Sequence, residues 1–243
     1  MSSRTLITAN PPKCNIQGTL AMSHGKQFTL FTHVGGPNGW KVAYVLAELG
    51  LSYEPKYLEF SKQEQKSAEH TQYNPNGRIP TLIDHANNDF VVWESNAIML
   101  YLVERYDTEH RISVVDADDK AHQLQWLFFQ ASGQGPYYGQ AGWFIRRHPE
   151  KVPSAIERYT NEVLRVLGVL EGVLSKREWL VGEKCTIADI SFVPWNSAAF
   201  DLFQKTSPEI NIERDFPAVI RWHNAITSRE PIAQQIALRE SLL

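Results

Sequence analysis

Three short segments in the first half of the chain carry polar groups that can bind a small zwitterionic peptide. They are Gly36-Pro37-Asn38-Gly39-Trp40, Asn74-Pro75-Asn76-Gly77-Arg78-Ile79-Pro80 and Trp93-Glu94-Ser95. Each is predicted to lie where a strand meets a helix or a helix meets a strand. Because each offers a different type of group, the three together can hold such a peptide by both ends and by its middle.

The first candidate contact is the backbone of Ile79, which precedes Pro80 just before a predicted strand. An X–Pro bond can be cis, and a cis bond turns the preceding carbonyl and amide outward. The Ile79 backbone can then pair with an extended ligand as an added strand would. The alternative is an ordinary trans proline at a strand start. The neighbouring motifs favour the cis form, which we predict.

Glu94 and Ser95 stand between a predicted strand and a predicted helix. Ser95 can cap that helix, whose N-terminus offers free N–H groups and a positive dipole to a carboxylate. Glu94 beside it would attract an ammonium group. The pair therefore suits the α-amino-acid end of a peptide, although a plain N-cap next to a solvated glutamate is the alternative.

Asn38 follows Pro37 at the start of the first predicted helix. Its amide can donate to a thiolate, and the helix dipole would lower the pKa of that thiol. The alternative is that Asn38 is the N-cap. The two roles compete for the same side chain, so only one can dominate.

The elements that position these residues follow the order β-α-β-α-β-β-α, which predicts a mixed four-stranded sheet with helices packed on it. A polar helix is expected at 64–72, and Pro55 favours an edge position for the second strand. The predicted strands cover 28–31, 53–59, 81–83 and 90–92, the last two as a hairpin, and the other helices cover 38–49 and 96–106.

After Asp107 the chain shows only helical periodicity. We therefore expect four segments, an α/β domain being followed by an all-α domain. They are a mobile N-terminal extension (1–25), the α/β domain (26–107), a linker (108–118) and the helical domain (119–243). Helices are predicted at 121–130, 154–174, 187–199, 217–228 and 231–239.

Two motifs of the second half are interpreted separately. Thr186 and Asp189 form a capping-box variant, with Cys185 and Ile190 as a hydrophobic staple, so Cys185 is predicted to be a packed hydrophobe. The aromatic run from Gly135 to Phe144 is typical of a core. Gly135, Gly139 and Pro136 are expected to break the helix, which can expose side chains to the other domain and form a pocket.

The composition excludes several classes of function. A net charge of −3 over 243 residues gives no basic field for nucleic acid. No apolar run is long enough to span a membrane, and no histidine stands at metal-ligand spacing from another or from a cysteine. The two cysteines, Cys14 and Cys185, are far apart, which fits a reducing, cytoplasmic compartment.

From about Gln27 onward the chain resembles the cytosolic glutathione transferases, with Ile79-Pro80, Glu94-Ser95 and Thr186-x-x-Asp189 as markers. The segments Pro-Asn-Gly-Trp-Lys-Val and Gly-Gln-Gly-Pro-Tyr-Tyr-Gly-Gln are similar to one branch. That branch contains the fungal nitrogen-regulator and prion protein and related fungal and bacterial (nu-class) transferases.

The resemblance implies a thioredoxin-like N-terminal domain, a helical C-terminal domain and a homodimer, with glutathione as co-substrate and no metal. It further implies a role for each candidate residue. Ile79 would hold the cysteinyl backbone, Glu94 and Ser95 the γ-glutamyl end, Arg78 and Gln65 the glycyl carboxylate, Asn38 the sulfur, and Tyr137, Tyr138 and Trp143 a second substrate.

The loop Val34-Gly35-Gly36-Pro37-Asn38 carries no Tyr, Ser or Cys where many transferases place one, and Gly36 replaces the Thr of bacterial relatives. This favours thiol–disulfide or peroxide chemistry by bound glutathione over strong conjugation of electrophiles. A regulatory protein that retains a transcription factor is the alternative, and a structural subunit of a translation complex is a second. The N-terminal extension is short and has no Asn/Gln bias, which makes the regulatory alternative less favoured.

Overall fold

The computed structural model describes residues 24–207 and 209–243, so most of the predicted N-terminal extension, including Cys14, lies outside the described residues. The first domain contains a four-stranded mixed sheet in the order β2-β1-β3-β4. Strand β1 (Phe28–Thr32) pairs in parallel with β2 (Tyr53–Tyr57) and antiparallel with β3 (Thr81–Asp84), which pairs antiparallel with β4 (Phe90–Trp93). Strand β2 is an edge strand, as predicted from Pro55.

Three α-helices belong to this domain: α1 (Pro37–Glu48), α2 (Ala68–Thr71) and α3 (Ser95–Tyr106). The single polar helix predicted at 64–72 is wrong. The chain forms two 3₁₀ turns (Phe60–Lys62 and Glu64–Lys66) before α2. Ser67, between the second turn and α2, has extended backbone with φ at −65° and ψ at 154°, which interrupts the helical path inside the predicted range. The predicted order of strands and helices is otherwise confirmed.

The second domain is helical throughout its described residues, as predicted. Its elements are α4 (Ala117–Phe129), a π-helical segment (Gln130–Gln134), α5 (Gly135–Arg146), α6 (Pro153–Leu174), α7 (Ile187–Ile190), α8 (Val193–Thr206), α9 (Ile212–Asp215), α10 (Pro217–Thr227) and α11 (Glu230–Leu242). Helix α4 begins inside the predicted linker because the Asp116 carboxylate accepts hydrogen bonds from the backbone N–H groups of Asp118 and Asp119, at 2.9 and 3.1 Å.

Two expectations about these helices are wrong. Gly135, Pro136 and Gly139 do not break the helix, since α4, the π-helical segment and α5 follow one another without a gap. Pro136 stands in the first turn of α5, where proline is tolerated. The helix predicted at 187–199 is divided into α7 and α8, and Pro194 lies in the first turn of α8.

The predicted capping box is confirmed. The Ala188 N–H donates to Thr186 Oγ1 at 3.2 Å, and the Thr186 N–H donates to Asp189 Oδ2 at 2.8 Å. Cys185 is 4% exposed, and burial raises the pKa of its thiol well above the usual value. A buried thiol of this kind is a poor nucleophile, as the sequence predicted.

Helix α1 lies at the contact between the two domains. Its residues Val42, Val45 and Leu46 are fully buried. The helix packs against β1 and α3 of its own domain and against α8 and α11 of the helical domain. The position of its N-terminus is therefore fixed from both sides. No helix of the described ranges is long and apolar enough to cross a membrane.

Candidate functional site

An open cleft of about 280 Å³ lies where α1 and α3 begin and β3 starts. It is lined by Asn38, Asn74, Asn76, Arg78, Ile79, Pro80, Glu94 and Ser95. Five of the six residues predicted for the peptide site are in this set, although they come from three separate segments of the chain. The described residues contain no group of three His, Cys, Asp or Glu side chains that could hold a metal ion.

The peptide bond between Ile79 and Pro80 is cis, which confirms the prediction. Asn74, only 2% exposed, holds the loop before it. Its Nδ2 donates to the carbonyl oxygen of Arg78 at 2.8 Å and to Thr81 Oγ1 at 3.0 Å, and its Oδ1 accepts the Asn76 N–H at 3.0 Å. The single side chain of Asn74 thus fixes the backbone that leads into the cleft.

The start of α3 differs from the prediction in one respect. The N-cap is Glu94, with φ at 72° and ψ at 113°, and Ser95 is the first residue of the helix. No side-chain hydrogen bond caps α3, so first-turn N–H groups remain donors beside the cleft. A left-handed glutamate costs about 1–3 kcal/mol, and such strain clusters at functional sites. Glu94 is exposed and Ser95 is 6% exposed.

Asn38 is the second residue of α1, and the N-cap is Gly36, whose φ is −87°. The N-cap alternative for Asn38 is therefore wrong. Its Oδ1 instead accepts a hydrogen bond from Trp195 Nε1 of α8 at 2.9 Å. This contact spans 157 residues of sequence, and the sequence offered no signal for it.

Gln65 is not among the residues that line the cleft. Its carbonyl oxygen lies 3.0 Å from His70 Nδ1, and the same oxygen lies against Gly77, where an added Cβ would come within 2.9 Å of it. The neighbouring Lys66 donates from Nζ to the carbonyl oxygen of Asn76 at 2.9 Å, at the edge of the cleft. Sequence reasoning missed Lys66 and the lining roles of Asn74 and Asn76, which the turn motif around Gly77 could have indicated.

The three aromatic residues predicted for a second substrate are not gathered in this cleft. Tyr138 is a core residue at 4% exposure, and burial raises the pKa of its hydroxyl. Tyr137 packs on Tyr159 with ring centroids 6.4 Å apart, and Trp143 is 46% exposed. In this structure the Tyr138 side chain is inaccessible to a substrate, and a pocket formed by Tyr137 and Trp143 stays a prediction.

The loop between β1 and α1 contacts the first 3₁₀ turn through an aromatic pair. The His33 ring stacks on Phe60 with centroids 4.2 Å apart, and Nδ1 of His33 accepts the Gly35 N–H at 3.0 Å. Burial, and then the nearby Arg147 guanidinium, lower the pKa of His33. The pair links the loop from which α1 begins to the 3₁₀ turn at Phe60–Lys62.

A chain of polar side chains joins α1 to the helical domain. Lys41 Nζ donates to Asn96 Oδ1 at 2.8 Å and to Gln130 Oε1 at 2.7 Å. Gln130 Nε2 donates to Gln134 Oε1 at 3.0 Å, and Gln134 Nε2 donates to Asn196 Oδ1 at 2.8 Å. Gln130 and Gln134 are the first and last residues of the π-helical segment, and their amides link Lys41 of α1 to Asn196 of α8.

Residues 26–104 match the family described as glutathione S-transferase, N-terminal domain, and residues 136–230 match glutathione S-transferase, C-terminal domain. The chain belongs to the glutathione S-transferase family. Its thioredoxin-like first domain and helical second domain are the two domains of that family.

Three similar proteins show where this chain stands within the family. Glutathione S-transferase 1 of Schizosaccharomyces pombe is 51% identical over 84% of this chain and 92% of its own length. The glutathione transferase Ure2p6 of Phanerochaete chrysosporium, solved in complex with oxidised glutathione, superposes with a TM-score of 0.88 at 58% identity, covering 91% of this chain and all of that one. The transcriptional regulator URE2 of Saccharomyces cerevisiae is 39% identical over 86% of this chain and 67% of its own length.

Proposed function

We propose that this chain binds glutathione in the cleft and uses the glutathione thiolate as nucleophile, in a transferase, thiol–disulfide reductase or peroxidase reaction. The observation that carries the proposal is the meeting of two helix N-termini with the Ile79 backbone in one cleft. Each helix start offers a positive dipole to an anion, and the backbone between them can pair with an extended peptide.

The three parts of glutathione match the three parts of the cleft. The α-carboxylate of the γ-glutamyl group suits the N–H donors at the start of α3 beside Ser95, and its ammonium suits the Glu94 carboxylate. The cysteinyl backbone would pair with Ile79. The glycyl carboxylate would lie toward Arg78, with Gln65 outside the cleft lining, and the sulfur toward Asn38.

The catalytic thiol in this proposal belongs to the substrate. With a disulfide, the thiolate attacks one sulfur, forms a mixed disulfide and releases the other sulfur as a thiolate. A second glutathione thiolate then attacks the glutathione sulfur of the mixed disulfide, which gives oxidised glutathione and releases the remaining substrate sulfur as a thiolate. With a peroxide, attack on the O–O bond gives a glutathione sulfenic acid and an alcohol, and a second glutathione yields oxidised glutathione and water. With an electrophile, a C–S bond forms and the leaving group departs.

A regulatory function is the second candidate, because the transcriptional regulator URE2 is 39% identical over 86% of this chain. The chain would then retain a transcription factor without turnover. Binding of glutathione without activity in any of the three reactions, together with a stable complex with such a factor, would favour this candidate over the enzyme.

A homodimer is part of the proposal, and its face is suggested by exposed apolar side chains. Phe90 and Trp93 of β4 are 44% and 37% exposed, and Phe128 near the end of α4 is 70% exposed. Asn96, three residues after Trp93, donates to the carbonyl oxygen of Leu127 at 2.7 Å, so the ends of β4 and α4 are neighbours. Sedimentation of the parent and of Phe128→Asp would test this, since the variant should be monomeric.

The test of the function is a pair of calorimetric titrations, with reduced and with oxidised glutathione, followed by assays with an aryl halide, a small disulfide and a hydroperoxide. We expect both forms of glutathione to bind and at least one assay to show turnover. A parent protein that binds neither form would overturn the proposal. A cytoplasmic, reducing location is proposed with it, because the reaction consumes reduced glutathione.

A further inference from the structure

The side chain of Asn38 is held by a residue of the other domain. Trp195, half-buried on α8, donates its indole N–H to Asn38 Oδ1 at 2.9 Å. An indole N–H is a donor only, whereas an asparagine amide has one oxygen that accepts and one NH₂ group that donates. The Asn38 oxygen must therefore face Trp195, and the amide cannot be turned over without losing this bond.

The NH₂ group of Asn38 lies on the opposite side of the amide from Trp195. Because Asn38 lines the cleft and its oxygen is engaged by Trp195, the NH₂ group is the part that remains for a ligand. We propose that Trp195 is a positioning residue that keeps the Asn38 NH₂ group directed at the sulfur of bound glutathione. Without Trp195 the amide is free to turn and present its oxygen, which repels a thiolate.

The Trp195 indole packs against two glycines of α5. An added Cβ at Gly135 would lie 3.6 Å from Trp195 Nε1, and an added Cβ at Gly139 would lie 3.4 Å from its Cη2. At these distances the α5 backbone lies directly beside the indole, with space for a single added carbon at most. The Gly-Pro-Tyr-Tyr-Gly motif, which the sequence suggested as a helix break, therefore packs against Trp195.

The helix that carries Trp195 is also tied to α1. Gln134 Nε2 donates to the carbonyl oxygen of Phe192 at 3.2 Å and to Asn196 Oδ1 at 2.8 Å, on both sides of Trp195 in sequence. Gln134 is bonded in turn to Gln130, which accepts from Lys41 of α1. Trp195 therefore reaches Asn38 from a helix whose distance to α1 is fixed by buried hydrogen bonds.

The inference rests on the proposed function for its ligand. The experiment therefore measures the contact between Trp195 and Asn38 separately from the pKa of the bound thiol. The contact is read from the indole N–H resonance of Trp195 in ¹⁵N-labelled protein without glutathione. Asn38→Ala should move this resonance, because the indole loses its acceptor. An unchanged resonance would overturn the inference before any ligand is added.

The thiolate is read from its ultraviolet absorbance against pH with glutathione bound. Trp195→Phe, which keeps an aromatic ring on α8, should raise the pKa of the bound thiol by about one unit. Glutathione affinity measured below that pKa should change by less than about threefold. The double variant Trp195→Phe/Asn38→Ala should have the same thiol pKa as Asn38→Ala, because Trp195 acts on the sulfur only through the Asn38 NH₂ group.

Two further variants separate positioning from folding. Asn38→Asp keeps an acceptor for the indole but places an oxygen toward the sulfur, so it should raise the thiol pKa and leave the melting temperature near that of the parent. Trp222→Phe removes an indole hydrogen bond of the same 2.9 Å length, to Asp189, and neither residue lines the cleft. It should lower the melting temperature and leave the thiol pKa unchanged.

A parent-like thiol pKa in Trp195→Phe would overturn the inference while the proposed function stands. A parent that binds no glutathione would overturn the proposed function and the thiolate role together, whereas the indole resonance would still report the contact.

Discussion

Arg229, just before α11, donates two parallel hydrogen bonds to the Glu48 carboxylate at the end of α1, from Nε and from one terminal nitrogen, both at 2.7 Å. The Glu48 side chain is 2% exposed and that of Arg229 is 34% exposed. This bidentate pair ties the C-terminal end of α1 to the helical domain, as Trp195 ties its N-terminal end.

Arg229→Ala should destabilise the protein by about 2–4 kcal/mol, because it leaves the buried Glu48 carboxylate without its partner. The free energy of unfolding from urea titrations measures the effect. Arg146→Ala is the matched control, since it breaks an exposed pair with Asp201 and should cost at most about 1 kcal/mol. Equal losses in the two variants would contradict the importance of the Arg229 pair.

Glu94→Ala should weaken glutathione binding by about 1.5–3 kcal/mol, because it removes a charge-assisted contact to the ammonium of the γ-glutamyl group. Calorimetry at constant pH measures the affinity. Glu104→Ala removes an exposed charge at the other end of α3 and should bind glutathione as the parent does. If Glu94→Ala and the parent bind equally well, the γ-glutamyl end lies elsewhere.

Neither cysteine should be needed for turnover. Cys185 is buried with a raised thiol pKa, so it is protonated and inaccessible near neutral pH. The double variant Cys14→Ser/Cys185→Ala should keep the parent kcat in the assay that shows turnover, with a lower melting temperature from the lost packing at residue 185. Loss of turnover in a folded double variant would show that a thiol of the protein takes part.

Lys41 should make stability rise with pH. Burial lowers its pKa to about 7 in the folded state, against the opposing effect of Glu94, whereas an unfolded lysine keeps its proton up to about pH 10.4. Between these values the unfolded chain binds more protons, so the free energy of unfolding increases with pH by up to about 1.4 kcal/mol per unit.

The measurement for Lys41 is a series of urea titrations between about pH 7 and about pH 9, compared with Lys41→Met, which has no titrating group at this position. The parent's free energy of unfolding should rise relative to that of the variant across this range. Parallel curves would mean that the lysine stays charged, stabilised by Asn96 and Gln130.

Gly139→Val should raise the pKa of the bound thiol by displacing the Trp195 ring, although residue 139 does not line the cleft. The added branch at residue 139 would meet the Trp195 ring, since even a Cβ lies 3.4 Å from Cη2. We expect a raised pKa for the bound glutathione thiol. Gly142→Val, on the same helix, has no atom within 4 Å of its added Cβ and should leave the thiol pKa unchanged. Equal thiol pKa values in the two variants would argue against a role for the contact between residue 139 and Trp195.

The sequence by itself determined the features that depend on neighbouring residues. Hydrophobic periodicity predicted the strands and the longer helices. The cis bond before Pro80, the capping box at Thr186 and the burial of Cys185 were also predicted correctly. Five of the six residues predicted for the peptide site line one cleft, because each stands at a strand–helix junction and such junctions meet at one edge of the sheet.

The tertiary structure decided what depends on partners far along the chain. Local pattern suggested Asn38 as a possible N-cap, but packing of α8 on α1 brings Trp195 to it. Gly135 and Gly139 signal a break when their segment is considered alone, but they lie in a continuous helix and pack against that indole. Tyr138 lies in the core because the rotation of α5 is set by the helices around it. Periodicity within a segment encodes which residues face inward, but only the packing of the two domains decides which of them meet.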